Sequence, residues 1–222
     1  MRATWDALAG ADSHVYVGDP AGGRRELESL FGRLGADPRG GVCVEVGCGP
    51  GRMTGALAER FDRVLALDVS LAMLERARAA TSAPNVEFRL VSGLGLKELD
   101  ENVADVLVCY LVLQHLPSRA GVENYLSEFG RVVRGEAFVQ LPILDAGFRP
   151  RAWRAARTLA VPLAYRLSRR PARAPELRGI RLTQAELDRA LTAAGLEVRA
   201  RDEGPDAPYR YSRDVFLRLA RA

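Results

Sequence analysis

Between residues 42 and 141, short β-rich apolar runs alternate with stretches whose apolar residues recur every three or four positions. That alternation is the pattern of a parallel sheet with crossover helices. The runs predict strands over Val42–Val46, Val64–Asp68, Val86–Leu90, Ala104–Tyr110 and Ala137–Leu141. Val106 to Leu113 is continuously apolar, as a central strand buried on both faces requires. Between the fourth and fifth strands, Ser118 is placed to cap a helix whose apolar face is Val122, Tyr125, Leu126, Phe129 and Val133. Ahead of the first strand, Leu27, Leu30, Phe31 and Leu34 form a helical stripe closed by Gly35.

After Leu141 the rhythm breaks. Trp153, Ala156, Leu159, Ala160, Leu163 and Leu167 keep helical spacing, interrupted by Pro162, so 146–178 reads as one kinked helix or two short ones inserted before the sheet resumes. It resumes with Thr183-x-x-Glu186, a capping box, followed by Leu187, Ala190, Leu191 and Ala194 on one face and Gly195 at the end. Leu196–Arg201 and Tyr211–Leu219 predict two more strands, and the 204–208 loop is long enough for an antiparallel return. The expectation is a seven-stranded α/β sheet with helices on both faces and a terminal hairpin.

A length of 222 residues predicts a single domain, and 48% hydrophobic with 27% charged residues is globular composition. Such a chain buries a sizeable core without disulfides. Its longest apolar run has eight residues, well short of the roughly 18 a membrane span needs. No long apolar stretch follows Arg2, so no secretory leader is expected. Cys43, Cys48 and Cys109 form no CxxC pair, and with only His14 and His115 besides, no metal site is spelled out. These features predict a cytoplasmic, metal-free protein. Charge is uneven: eight arginines and no acid lie between Ala146 and Pro175, giving +8 there within a net +4. The chain holds 31 Arg against one Lys, so part of this block is compositional bias, and few aromatics are interleaved for base stacking. No nucleic-acid partner is expected.

The most informative stretch is Val44-Glu-Val-Gly-Cys-Gly-Pro-Gly-Arg-Met-Thr54, an apolar strand running into glycines at 47, 49 and 51 before a helix. Glycines there allow a sharp turn and close approach of a ligand to the backbone. A dinucleotide fingerprint would need its third glycine at position 52, which is Arg, and an apolar residue where Glu45 stands. Asp68, ending the second strand, offers a carboxylate to the two hydroxyls of a ribose. Glycine loop and acid together predict a nucleoside-containing ligand.

With these residues in order, the chain resembles the class I S-adenosylmethionine-dependent methyltransferases. The resemblance is carried by Glu45-x-Gly47-x-Gly49-x-Gly51, Leu67-Asp68-Val-Ser70-x-x-Met73, Ala104-Asp105-Val-Leu, Gln114-His115-Leu-Pro117, Arg131-Val-Val133 and the Leu187 to Val198 ending. It covers roughly residues 40–142 and resumes over 182–219. It implies a Rossmann-like, mostly parallel seven-stranded sheet, antiparallel at its last strand, with S-adenosyl-L-methionine as cofactor. By that resemblance Gly47, Cys48 and Gly49 line the methionine portion, Glu45 belongs to the same cofactor site, Asp68 holds the ribose, and Val69 and Met73 pack on the adenine. Serine stands at Ser92, where the family often has an acid, leaving the adenine contact to Ser92 or to the backbone of Gly93 and Leu94. A second departure is Arg134-Gly135-Glu136 before strand five, where Pro-Gly-Gly is usual. Tyr110 and Leu111 would sit beside the reactive methyl.

His115 follows strand four at the sheet edge where open α/β folds place ligands. It is a candidate general base for the acceptor's proton, or else a hydrogen-bonding residue of the helix-entry turn. The N-terminal residues 1–35, which include Trp5 and His14, and the basic 146–178 insertion are expected to cover the site as a lid. No Asp/Asn-Pro-Pro-Tyr/Phe follows strand four, Cys109 is not preceded by Pro, and no acid lies between Asp105 and Glu123. These absences argue against base-amino, cytosine-C5 and metal-assisted catechol methylation. The expected activity is methyl transfer to an oxygen or nitrogen of a small molecule, either an anionic acceptor, as the arginines indicate, or a natural-product-like one. The rival expectations are a membrane-surface lipid or quinone methyltransferase using the basic segment, and a catalytically silent partner that keeps the fold. Oligomeric state is not legible in the sequence.

Overall fold

The computed structural model describes residues 2–10, 20–144, 179–203 and 212–222, together with positions 156, 160 and 163. Seven strands form one sheet: β1 (Val42–Val46), β2 (Arg63–Asp68), β3 (Val86–Leu90), β4 (Ala104–Cys109), β5 (Val133–Leu144), β6 (Leu196–Glu203) and β7 (Ser212–Arg221). Their order is β3-β2-β1-β4-β5-β7-β6. The first five pair in parallel, while β7 runs antiparallel to both β5 and β6. The expected hairpin is therefore present, although its 204–208 loop lies outside the described residues.

Six helices complete the described fold: α1 (Arg2–Gly10), α2 (Pro20–Arg33), α3 (Thr54–Ala58), α4 (Leu71–Ala80), α5 (Arg119–Val132) and α6 (Gln184–Ala193). Strand residues alternate between the two faces. Val44, Leu65, Leu107 and Val139 meet Leu126 and Phe129 of α5 and Leu187 and Leu191 of α6. Cys43, Val64, Val106 and Phe138 meet Leu27, Leu30 and Phe31 of α2, Leu57 of α3 and Leu74 of α4. Coverage on both sides is why the central strands read as unbroken apolar runs. Phe31 packs edge-on against Phe138, with ring centroids 4.8 Å apart.

Helix ends form where the sequence placed them. Ser118 accepts from the Gly121 amide, and Thr183 with Glu186 completes a capping box. Gly35 and Gly195 adopt the left-handed conformation that closes α2 and α6. Cys43 and Cys109 lie on the adjacent strands β1 and β4, both fully buried.

Strand five departs from expectation. Val133, expected on the helix face, is the first residue of a strand that extends to Leu144. The Arg134-Gly135-Glu136 segment is part of it, opposite a register shift between Ala104 and Val106. A Cβ at Gly135 would lie 2.2 Å from the Asp105 carbonyl oxygen, so only glycine fits this close approach. Arg134 pairs with the Asp105 carboxylate at 2.5 Å. β4 also ends one residue earlier than expected, which releases Tyr110 into the loop above the sheet. Most of the 146–178 insertion lies outside the described residues; positions 156, 160 and 163 are helical and exposed.

Candidate functional site

A cleft enclosing about 1100 Å³ of empty space, its open mouth included, lies at the C-terminal ends of β1, β2 and β4. This is where the strand order reverses between β1 and its two neighbours, the place an open α/β sheet leaves for a ligand.

The glycine loop forms its floor. The Gly47 and Cys48 amides both donate to the Leu67 carbonyl, at 2.8 and 2.9 Å, folding the loop over the end of β2. Gly47 sits at φ +72°, and a Cβ there would meet Val112 Cγ2 at 2.4 Å. Both its conformation and its contact with the loop after β4 thus exclude a side chain. Asp68, nearly buried, accepts from the Gly49 amide through Oδ2 and from the Ser70 amide through Oδ1, each at 2.9 Å. Burial raises its carboxyl above the usual range against the opposing pull of those amides. Glu45 is deeper and accepts from the Thr54 hydroxyl at 2.6 Å. Burial pushes its carboxyl up to about 7, with Asp68 adding and Thr54 opposing. The Cys48 thiol is likewise raised by burial, with Glu45 and Asp68 adding to it, and so stays protonated.

Helix α1 supplies part of the rim. Its Leu8 and Ala9 pack on Met73 of α4, and Arg2 donates to the carbonyls of Val69 and Val91 at 2.8 and 3.1 Å. Asp6 accepts from the Ser70 hydroxyl at 2.5 Å. The Trp5 ring meets the His115 ring edge-to-face at 5.1 Å. His115 closes a 3-10 turn, Leu113–His115, donating its amide to the Val112 carbonyl, and its ring enters the wall. His115 thus stands both in the turn and at the cleft.

The structure brings Glu45, Gly47, Cys48, Gly49, Asp68, Val69, Met73, Tyr110 and His115 together around the cleft. It does not bring Ser92, Gly93 and Leu94 to the wall; at that level Val91 lines it. The Ser92 amide turns to Glu98, Gly93 packs behind Val69, and Leu94 is 76% exposed. The two N-terminal helices also separate in role: α1 reaches the cleft, whereas the apolar face of α2 packs into the core beneath the sheet.

Arg52, Gln114 and Tyr125 line the cleft without having been singled out as site residues. Arg52 lies over the Tyr110 ring at 5.7 Å, pairs with Glu26, and occupies space that Gly23 leaves open. Its position directly after Gly51 was the available signal. Tyr125 reads as core from helical spacing, and its contact with the core does not distinguish it from Phe129.

The sheet order and the location of this cleft define a Rossmann-like α/β protein built to hold a nucleoside-bearing ligand. A family model described as a methyltransferase domain matches residues 44–140. Malonyl-acyl-carrier-protein O-methyltransferase of Salmonella typhimurium is 35% identical over 115 residues, spanning 50% of this chain and 43% of the relative. Trans-aconitate 2-methyltransferase of Methylobacterium radiotolerans is 36% identical over 104 residues, 46% of this chain and 38% of the relative. The chain thus covers less than half the length of either. Magnesium protoporphyrin IX methyltransferase from Synechocystis PCC 6803 shares the fold, with TM-score 0.65 at 19% identity over 100% of this chain and 97% of that one. Over residues 44–140 the chain is thus similar to the S-adenosylmethionine-dependent methyltransferases, and its whole sheet shares their fold.

The cleft fits that family's cofactor. Two buried carboxylates suit a ligand carrying an ammonium group and ribose hydroxyls, and Val69 and Met73 give an apolar surface for a flat base. Among the described residues no group of three or more His, Cys, Asp or Glu is placed to hold a metal ion. Nor is any described helix long and apolar enough to cross a membrane.

Proposed function

We propose that this protein transfers the methyl group of S-adenosylmethionine to an oxygen or nitrogen of a small anionic molecule. The observation that carries the reading is Asp68: a buried carboxylate at the end of β2, fixed by the Gly49 and Ser70 amides with lone pairs to spare. That arrangement holds ribose hydroxyls without rearrangement. Gly47 and Gly49 let the ligand lie against backbone, and Glu45 faces the position an ammonium group would take.

When bound, the cofactor supplies a methyl carbon made electrophilic by its positively charged sulfur. The residues after β4 do the remaining work. Tyr110, Leu111 and His115 line the same cleft as the glycine loop and would hold the acceptor against the methyl group. Positioning of this kind is worth several kcal/mol, because a bimolecular encounter becomes a local one. Glu45, Gly47, Gly49 and Asp68 would hold the cofactor as it gives up its methyl group to the acceptor's lone pair and keeps the carbon–sulfur electron pair on its sulfur. Where the acceptor is a hydroxyl or a neutral amine its proton passes to the His115 imidazole as the methyl moves, and no base is needed for a carboxylate.

An anionic acceptor is supported by Arg52 in the wall and by the arginines at 149–173. Two relatives are named for malonyl and trans-aconitate acceptors. Arg-to-Ala changes in 149–173 should raise KM for such an acceptor; an unchanged KM would remove the anionic part of the proposal.

The decisive experiment is calorimetric titration of cofactor-free protein with S-adenosylmethionine and S-adenosylhomocysteine. The expected result is binding in the micromolar range, about −8 kcal/mol, weakened tenfold or more by Asp68→Ala. Folded wild-type protein that binds neither would overturn the reading.

A further inference from the structure

Among the described non-glycine residues, Leu111 and Asn102 have positive φ, at +59° and +57°. Asparagine tolerates the left-handed region, whereas leucine there is strained because its Cβ crowds the following carbonyl oxygen. Leu111 lies in the cleft wall between Tyr110 and Val112, so the strain sits at the site itself. Gln140, fully buried on β5, is what meets it. Its Oε1 accepts from the Leu111 amide at 3.0 Å, and its Nε2 donates to Asp214 Oδ1 on β7 at 2.9 Å. On the other side of the same residue, Gln114 donates through Nε2 to the Leu111 carbonyl at 3.3 Å and lies 3.2 Å from His115 Nε2. Arg181, also buried, donates to the Gln114 carbonyl at 3.0 Å.

From these contacts we infer that Gln140 is a positioning residue for methyl transfer, holding Leu111 left-handed and so setting the wall that carries Tyr110, Gln114 and His115. The inference rests on the methyltransferase reading for its chemistry, and on the tether alone for its geometry. Gln140 is suited to the task because one end of its side chain must accept and the other must donate. The Leu111 amide is a donor only, and the Asp214 carboxylate is an acceptor when ionised. Glutamate at position 140 would still accept from Leu111 but would set two carboxyl groups against each other. Converting Asp214 to asparagine as well reverses the direction of the second bond and restores the pattern.

The experiment reads His115 rather than turnover, since it needs no acceptor. The protein has two histidines, His14 and His115, so two-dimensional NMR of the imidazole C–H groups resolves them with few signals. In the wild type His115 should show a ring-current displacement from Trp5 and a direct through-space contact with it. Gln140→Glu should abolish that contact and move the His115 signal, leaving His14 in place. Gln140→Glu combined with Asp214→Asn should return both signals to their wild-type positions. Gln140→Met, similar in length but unable to form either hydrogen bond, should reproduce the loss and serves if the glutamate variant does not fold. A folded Gln140→Glu or Gln140→Met protein with an unmoved His115 signal would overturn the inference. So would a shift that Asp214→Asn fails to reverse, because packing rather than the donor–acceptor pattern would then be responsible. Titration of the same samples with S-adenosylhomocysteine separates the two layers. Absent binding by the wild type, with its Trp5–His115 contact intact, removes the chemistry and leaves the tether standing.

Discussion

Glu45 illustrates how far burial alone can change a side chain. It is enclosed at the foot of the glycine loop with one hydroxyl partner, and its carboxyl is pushed from 4.5 to about 7. An acid raised on folding holds more protons folded than unfolded between those two values. Stability therefore falls as pH rises through that window, by roughly 3 kcal/mol, and is flat above it. Glu45→Gln keeps an acceptor for Thr54 and removes the ionisation. Its melting temperature, compared with wild type from pH 5 to pH 8, should lose this decline and exceed wild type at the alkaline end. Parallel curves across the range would show that folding leaves the Glu45 carboxyl at its ordinary acidity. The residue was legible in sequence as a member of the glycine-loop motif; its altered acidity was not, since that depends on what β2 and α3 place around it.

At the scale of elements, period and punctuation carried most of the information. Strands β1 to β4, the Ser118 and Thr183 caps and the glycine ends of α2 and α6 follow from local pattern, because each rests on contacts within a few residues. The start of β5 does not. Its extension back to Val133 depends on the approach of Gly135 to Asp105, 30 residues away in the chain. A similar approach governs α5. Gly130 lies within a helix, where alanine would ordinarily be favoured by about 1 kcal/mol. Here a Cβ would meet the Ala194 carbonyl oxygen at 2.3 Å, and that oxygen belongs to backbone at the end of α6. Overpacking of this kind costs about 1–3 kcal/mol and outweighs the propensity gain. Gly130→Ala should accordingly lower the denaturant midpoint; an unchanged or raised midpoint would mean that the two helices part readily.

Across the whole molecule, the cleft is shared by segments far apart in sequence: α1, the glycine loop, the end of β2 and the loop after β4. Trp5 joins the first of these to the last through its contact with His115. Trp5→Ala removes an aromatic wall without touching the glycine loop or Asp68, and should weaken S-adenosylhomocysteine binding about tenfold, or 1.4 kcal/mol. Unaltered affinity in the same titration would show that α1 closes only the acceptor side.

By itself the sequence determined the order of elements, the helix ends, the glycine loop and the acid that follows β2. These are set by short-range periodicity and by backbone conformations that particular residues favour. Only the tertiary structure decided that Ser92, Gly93 and Leu94 stand away from the wall, that α1 rather than α2 reaches the cleft, and that Gln140 answers a strained Leu111. Each of these depends on groups brought together across the sheet by burial and hydrogen bonding, and no local pattern in the chain records which distant partner a buried polar group will find.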